Sequence, residues 1–151
     1  MTIRFYKVED PYGCFSNFSP HPIVVEGVHW PTSEHYYQAQ KFVGTPHADR
    51  CEIIRQAATP EEAAALGRDP QVSVRPDWDE VKRDVMYRAV QTKFSEHAQI
   101  RSVLLDTGDE QIVEDSPRDW FWGWGADHQG ENHLGKILME VRDACRRHLS
   151  S

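Results

Sequence analysis

The sequence predicts a mainly α protein, α+β at most: one compact multihelical domain over residues 1–151 with a small N-terminal β-hairpin or sheet. Three observations carry that expectation. Val81, Val85, Met86, Ala89, Val90 and Phe94 repeat with the spacing of a helix face turned to a core, and so do Leu134, Ile137, Leu138, Val141, Ala144 and Cys145. Helix-start signals stand at T-S-E (Thr32 to Glu34) and at T-P-E-E (Thr59 to Glu62). Alternating apolar segments, the mark of half-buried strands, are few and short.

Taken in order, Ile3 to Lys7 alternates and reads as a strand. Asp10 to Pro20 is a turn-rich loop with aromatics inside it. Ile23 to Val25 and Val28 to Trp30 read as a hairpin around Glu26-Gly27. Pro31 ends the second strand, because it has no amide proton to donate. A helix then starts at Ser33, with Thr32 or Ser33 as cap, and runs to about Val43 with Gly44 as its C′ residue. A second helix covers about Ala48 to Ala57. A third has Thr59 as N-cap, Pro60 in first position, Glu62 closing a capping box, and Gly67 at its end. Residues 68–77 form a proline-containing loop. The longest helix runs from Trp78 or Asp79 to about Glu96, and a short one from Ala98 to Leu105 closes at Gly108. Gln111 to Glu114 reads as a strand, 116–131 as irregular, and Asn132 to Leu149 as the last helix. Arg146, Arg147 and His148 near its end suit the negative pole of its dipole.

The chain has 151 residues, 39% hydrophobic and 27% charged, which supports one domain with a sizeable core. Its net charge of −7 argues against broad binding to nucleic-acid phosphates. Cys14, Cys51 and Cys145 are an odd, widely spaced set with neither a disulfide framework nor a zinc knuckle, and reduced thiols in the cytoplasm are the simplest reading. The N-terminus lacks a signal-peptide apolar core, and no apolar run is long enough for a membrane span. The eight histidines form no H-E-x-x-H pattern, so no metal or other cofactor is expected.

Five stretches could carry chemistry. Glu34, Gln38 and Lys41 stand at i, i+4 and i+7 on one helix stripe. Glu34 and Lys41 are then roughly 10 Å apart along the axis, which suits two ends of a polar ligand; a solvated charged face is the plainer reading. In S-P-R-D-W-F-W-G-W-G (Ser116 to Gly125), the tryptophans form either a stacking platform for a base or sugar or a hydrophobic plug. Asp119 within that set suits general acid or base work. Trp78 heads the long helix as a stacking partner, a lid or a staple over the helix start. Asn17, beside Phe18, is a ligand-orienting amide or a turn-maker. Gly130 to Lys136 places free helix amides where an anion could sit.

Several of these stretches together resemble one family. F-S-N-F at Phe15 to Phe18, W-P-T-S-E-H-Y-Y-Q-A-Q-K-F at Trp30 to Phe42, W-D-x-V-K-x-x-V-M at Trp78 to Met86, D-W-F-W-G at Asp119 to Gly123, and N-H-L-G-K-I-L-M at Asn132 to Met139 resemble the YbiA-like or NADAR family, in order and over nearly the whole chain. The resemblance implies a mainly helical fold and hydrolysis of an N-glycosidic bond. It implies a small phosphoribosyl substrate: early riboflavin-biosynthesis intermediates, cleaved between ribose 5-phosphate and the pyrimidine. Other members of the family remove ADP-ribose from guanine in DNA, so nucleic acid is a partner only under that alternative. A non-catalytic NAD or ADP-ribose binder is the third reading, and no membrane partner is expected.

The resemblance ties Glu34 and Asp119 to activity; the chemistry of the bond makes them the two carboxylates, with Lys41 as a helper for phosphate or leaving group, or as a nucleophile forming an imine. The resemblance also places Trp78 and Trp122 at the substrate, with Asn17 and Asn132 in matching motifs; the reading of the residues adds Gln38, on the Glu34 stripe, and Phe18, beside Asn17, as substrate contacts. Trp124 departs from the family pattern, where a smaller or acidic residue is expected, and alters the shape of the base pocket.

Overall fold

The structure, a computed structural model, describes residues 1–150. In chain order the elements are β1 (Thr2–Phe5), a 3-10 turn (Gly13–Phe15), β2 (Ile23–Val25), β3 (Val28–Trp30), α1 (Ser33–Gln40), α2 (Arg50–Arg55), α3 (Pro60–Gly67), α4 (Trp78–Glu96), α5 (Ala98–Asp106), β4 (Gln111–Glu114) and α6 (His133–Ser150). The mainly α expectation holds, with the few strands it allowed. The chain divides into two compact units: one holds Met1–Ser19 and the chain from Phe94 on, the other Pro20–Lys93. Among the described residues no helix is long and apolar enough to cross a membrane.

The central unit begins with the hairpin. β2 and β3 pair antiparallel, Ile23 opposite Trp30 and Val25 opposite Val28. Glu26 and Gly27 both take positive φ, 51° and 80°, the conformation of a turn whose twist matches the strands it joins. At the start of α1, Thr32 Oγ1 accepts from the His35 amide at 3.2 Å. The same hydroxyl bonds His35 Nδ1 at 2.8 Å, while Nε2 bonds the Ala57 carbonyl at 3.1 Å. A carbonyl only accepts, so Nε2 carries the proton and Nδ1 accepts from Thr32. Burial holds the His35 pKa below its usual value, against the opposing pull of the Ala57 carbonyl.

α1 stops at Gln40 rather than Val43. The chain there tightens into three-residue turns, Phe42 to Ala39, Thr45 to Phe42 and Ala48 to Thr45. Thr45 Oγ1 reinforces them by donating to the Phe42 carbonyl at 2.7 Å. The same turns shorten α2 relative to expectation. α3 starts as expected, with Thr59 Oγ1 accepting from the Glu62 amide at 3.1 Å. The return arm of its box lands one residue early, on the Ala58 amide at 3.1 Å. Ile23, Val25, Trp30, Tyr36, Ala39, Phe42, Ile54, Ala63 and Ala89 form one buried cluster around which hairpin, α1, α2, α3 and α4 are assembled. Full burial of a large apolar side chain contributes about 1.5–3 kcal/mol.

The other unit is organised on a parallel pair. β1 runs beside β4 with Ile3 opposite Ile112 and Phe5 opposite Glu114. β1 ends at Phe5, two residues short of expectation, because Asp10 Oδ2 takes the amides of Tyr6 (3.3 Å) and Lys7 (2.8 Å). Phe15 packs edge-on against Phe5, centroids 5.9 Å apart, and lies 5.9 Å from Phe94. Leu134, Ile137, Leu138 and Val141 of α6 are buried, as are Ile112 and Val113. Arg142 is also buried, and its guanidinium donates to Thr107 Oγ1 (2.9 Å) and the Glu110 carbonyl (2.8 Å), tying α6 to the segment before β4.

Candidate active site

The polar stripe on α1 is buried, not solvated. Glu34 is 5% exposed and Gln38 1%. A carboxylate is tolerated at such a depth only with a donor beside it. Gln38 supplies one from the next turn: its Nε2 donates to Glu34 Oε2 at 2.7 Å. The other end of the amide, Oε1, is buried and has no hydrogen-bond partner among the described residues. It lies against Gly67, the last residue of α3, where a Cβ would stand 2.7 Å from Gln38 Cδ and overlap the oxygen. The absent side chain at 67 therefore makes the space in which Gln38 reaches Glu34.

Lys41 follows directly after α1. Its Nζ donates to the Gly67 carbonyl at 3.2 Å and lies 5.8 Å from the centre of the Tyr37 ring, within reach of a cation–π attraction. Burial pushes its pKa down to about 8; Glu34 pulls the other way, and Arg68 and Lys82 add to the depression. The amine is thus partly neutral near physiological pH, with a carboxylate and two further cations in its field. Trp78, at the head of α4, is 8% exposed and packs on Tyr37 with centroids 5.2 Å apart at 56°. The backbone before it is fixed by the Arg75 amide, which donates to the Lys41 carbonyl at 2.8 Å. Glu34, Gln38, Lys41, Tyr37 and Trp78 thus come together as one constellation in the central unit.

The remaining candidates lie in the other unit. Asp119 Oδ1 accepts from the amides of Phe121 (2.9 Å) and Trp122 (2.7 Å), so this oxygen shapes the tryptophan loop. Its Oδ2 has no hydrogen-bond partner among the described residues. The tryptophans do not form a buried plug. Trp120 is 46% exposed, with its indole N–H donating to Asp127 at 2.8 Å. Trp122 is half-buried, edge-on to Phe121 at 4.7 Å. Trp124 stacks on His128 at 4.0 Å, its N–H on Asp115 at 2.6 Å and the Arg4 guanidinium 5.0 Å over its ring. Trp124 therefore has local partners of its own within this unit.

Asn17 is buried and Phe18 half-buried, with the Phe18 amide on Ser16 Oγ at 3.1 Å. Asn132 is committed to the backbone of β4: Oδ1 accepts from the Glu114 amide and Nδ2 donates to the Ile112 carbonyl, both at 3.0 Å. Its φ of 53° places it outside α6, which is why the helix starts one residue later than expected. The expectation of free amides for an anion there is corrected. The amides of Asn132, His133 and Leu134 donate to the carbonyls of Gly123, Phe121 and Trp122, at 2.9, 2.9 and 3.0 Å.

Residues 4–146 match the NADAR domain. The chain belongs to the NADAR family. It is 61% identical over 150 residues to an N-glycosidase of Nostoc punctiforme, covering 99% of this chain and 96% of that protein. It is 45% identical over 141 residues to the N-glycosidase YbiA of Escherichia coli, covering 93% and 86%. A maize protein named for riboflavin biosynthesis is 46% identical over 152 residues, covering 93% of this chain and 24% of that longer protein. The NMR structure of Escherichia coli YbiA superposes with a TM-score of 0.90 at 42% identity, covering all of this chain and 90% of that one.

In this NADAR chain two features of the site have no signal in the local sequence. Gly67 reads there as a helix terminator, yet its lack of a side chain positions Gln38. Arg68 reads as a loop residue, yet its charge acts on Lys41. Only the packing of α3 against α1 brings either one to the site.

Proposed function

We propose that this chain is an N-glycosidase that hydrolyses the C–N bond between ribose 5-phosphate and the pyrimidine of early riboflavin-biosynthesis intermediates, removing reactive metabolites in the cytoplasm. The family supports the bond type, since its named relatives are N-glycosidases, and a relative named for riboflavin biosynthesis supports the substrate class. The observation that carries the reading in this chain is the buried pair of Glu34 and Gln38 beside Lys41, walled by Tyr37 and Trp78.

Cleavage of an N-glycosidic bond builds positive charge on the ribose ring as the base departs. A carboxylate held in place before the reaction stabilises that charge and takes a proton from the attacking water. Glu34 has this role, and Gln38 Nε2 donates to its Oε2. The electron pair of the broken bond leaves with the pyrimidine, which is reprotonated. The aromatic wall of Tyr37 and Trp78 excludes bulk water and offers a face to the base. Lys41 serves as a cation toward the 5′-phosphate. For the other unit, the family resemblance together with the sequence implies a second carboxylate at Asp119 and substrate contacts at Trp122, Asn17 and Phe18.

The test is a side-by-side hydrolysis assay. One substrate is the freshly generated ribosylamino-pyrimidinone 5′-phosphate; the other is ADP-ribosylated guanine in DNA. Release of ribose 5-phosphate from the first supports the proposal. Release of ADP-ribose from the second alone would overturn the substrate assignment, and release from neither would overturn hydrolysis of this bond type.

A further inference from the structure

The loop after α3 holds a groove of about 570 Å³ lined by Arg50, Glu62, Leu66, Arg68 and Asp69 among others, within the size range of small-ligand sites. Most of its charges are already committed. Arg50 donates to the Leu66 carbonyl at 3.1 Å and pairs with Asp69 at 3.4 Å. Glu62 is bound to the Ala58 amide. Asp69 also accepts from the Gln71 amide at 3.0 Å. Arg68 differs: among the described residues its guanidinium has neither a hydrogen-bond nor an ion-pair partner, although its backbone is fixed by the last turn of α3.

Its position gives that guanidinium a use. The last carbonyls of a helix have no partner within it, and here basic side chains take two of them. Arg50 reaches Leu66 and Lys41 reaches Gly67. Arg68 is the next residue after Gly67, so the Lys41 amine is anchored one residue from it, and Arg68 and Lys82 repel the Lys41 cation while Glu34 attracts it. A phosphate monoester relieves that repulsion, and a planar guanidinium matches two phosphate oxygens at once.

We propose that Arg68 is a binding residue for the substrate's phosphate monoester, which it takes together with Lys41, and that it sets the preference for phosphorylated over unphosphorylated ribosides. This assignment rests on the proposed reaction at Glu34, but it is testable without turnover.

Wild type and Arg68→Met are titrated calorimetrically with ribose 5-phosphate and with ribose. Arg147→Met, an exposed cation in α6, serves as the control for loss of charge alone. The expected result is binding of ribose 5-phosphate by wild type, at least tenfold weaker binding by Arg68→Met, partial recovery by Arg68→Lys, and no change in Arg147→Met. In turnover, the ratio of kcat/KM for the phosphorylated over the unphosphorylated substrate falls at least tenfold in Arg68→Met, through KM more than kcat. Equal binding of ribose 5-phosphate by wild type and Arg68→Met overturns the inference even if the enzyme hydrolyses its substrate normally. An enzyme without N-glycosidase activity that still binds ribose 5-phosphate through Arg68 overturns the proposed reaction and leaves the phosphate site standing.

Discussion

Gly67→Ala is the perturbation that tests how the site is held. A methyl at this position would meet Gln38 Cδ at 2.7 Å and its Cβ at 2.8 Å. The Gln38 Cβ cannot retreat without moving α1, and its amide is enclosed. Overpacking of this kind costs about 1–3 kcal/mol. Replacing glycine in a helix returns up to about 1 kcal/mol, and less at the final position. The net loss is about 1–2 kcal/mol, or roughly 2–8 °C in Tm for a chain of this size. Activity loses more. Displacing the amide removes the 2.7 Å bond to Glu34, and hydrogen bonds to charged groups contribute about 1.5–3 kcal/mol. That corresponds to roughly a 10- to 150-fold fall in kcat. Thermal unfolding and steady-state release of ribose 5-phosphate measure both quantities on one preparation. A Gly67→Ala protein with wild-type Tm and wild-type kcat would refute the reasoning, because it would mean that Gln38 has room to move and that its placement does not matter.

Three further predictions follow from single residues. Lys41 has a folded pKa of about 8, below its unfolded value of 10.5, so its charge costs stability below pH 8 and the cost is relieved between pH 8 and 10.5; Lys41→Met should therefore unfold at a higher temperature than wild type at pH 7, with the gap closing over that window, while kcat/KM of the wild type falls above pH 8. A rate that instead rises through pH 8 would mark Lys41 as a nucleophilic amine. His35 has its pKa lowered on folding, so stability is fully present above its unfolded pKa of about 6.5 and declines as the pH drops below that; chemical denaturation of His35→Gln should show a lower midpoint at pH 7 and a flatter dependence below pH 6.5, and a parallel pair of curves would contradict this. Asn132→Ala strands the Glu114 amide and the Ile112 carbonyl and forces alanine into positive φ, so urea unfolding should report a loss of about 2–4 kcal/mol; an unchanged midpoint would show that β4 does not depend on this clamp.

Where the information was local, the sequence was a good guide. The hairpin, the start of α1 and both ends of α4 follow from turn chemistry, caps and a long apolar stripe, each a matter of residues within a few positions of one another. The errors were also local in cause. α1 ended early because Thr45 and its neighbours favoured tighter turns, and β1 ended early because Asp10 captured two amides. The parallel pairing of β1 with β4 could not be read, since it joins residues 2–5 to residues 111–114 and leaves no mark on either. The stripe Glu34, Gln38 and Lys41 was legible as a stripe. Its burial was not, because periodicity gives the face a residue occupies but not what covers that face. Asn132 shows the reverse case: its motif was visible, but only the register of β4 reveals that both ends of its amide serve the backbone.

Glu34 carries the proposed chemistry, and one measurement reaches it directly: ribose 5-phosphate release from the freshly generated ribosylamino-pyrimidinone 5′-phosphate by wild type and by Glu34→Gln. The substitution keeps the size of the side chain and an oxygen to accept from Gln38, so thermal unfolding should remain cooperative. Removal of a general base costs about 10²–10⁴-fold in rate, and a fall in kcat of that size in a folded protein is the predicted result. A folded Glu34→Gln enzyme that turns over within a few-fold of wild type would contradict the account and move the base elsewhere.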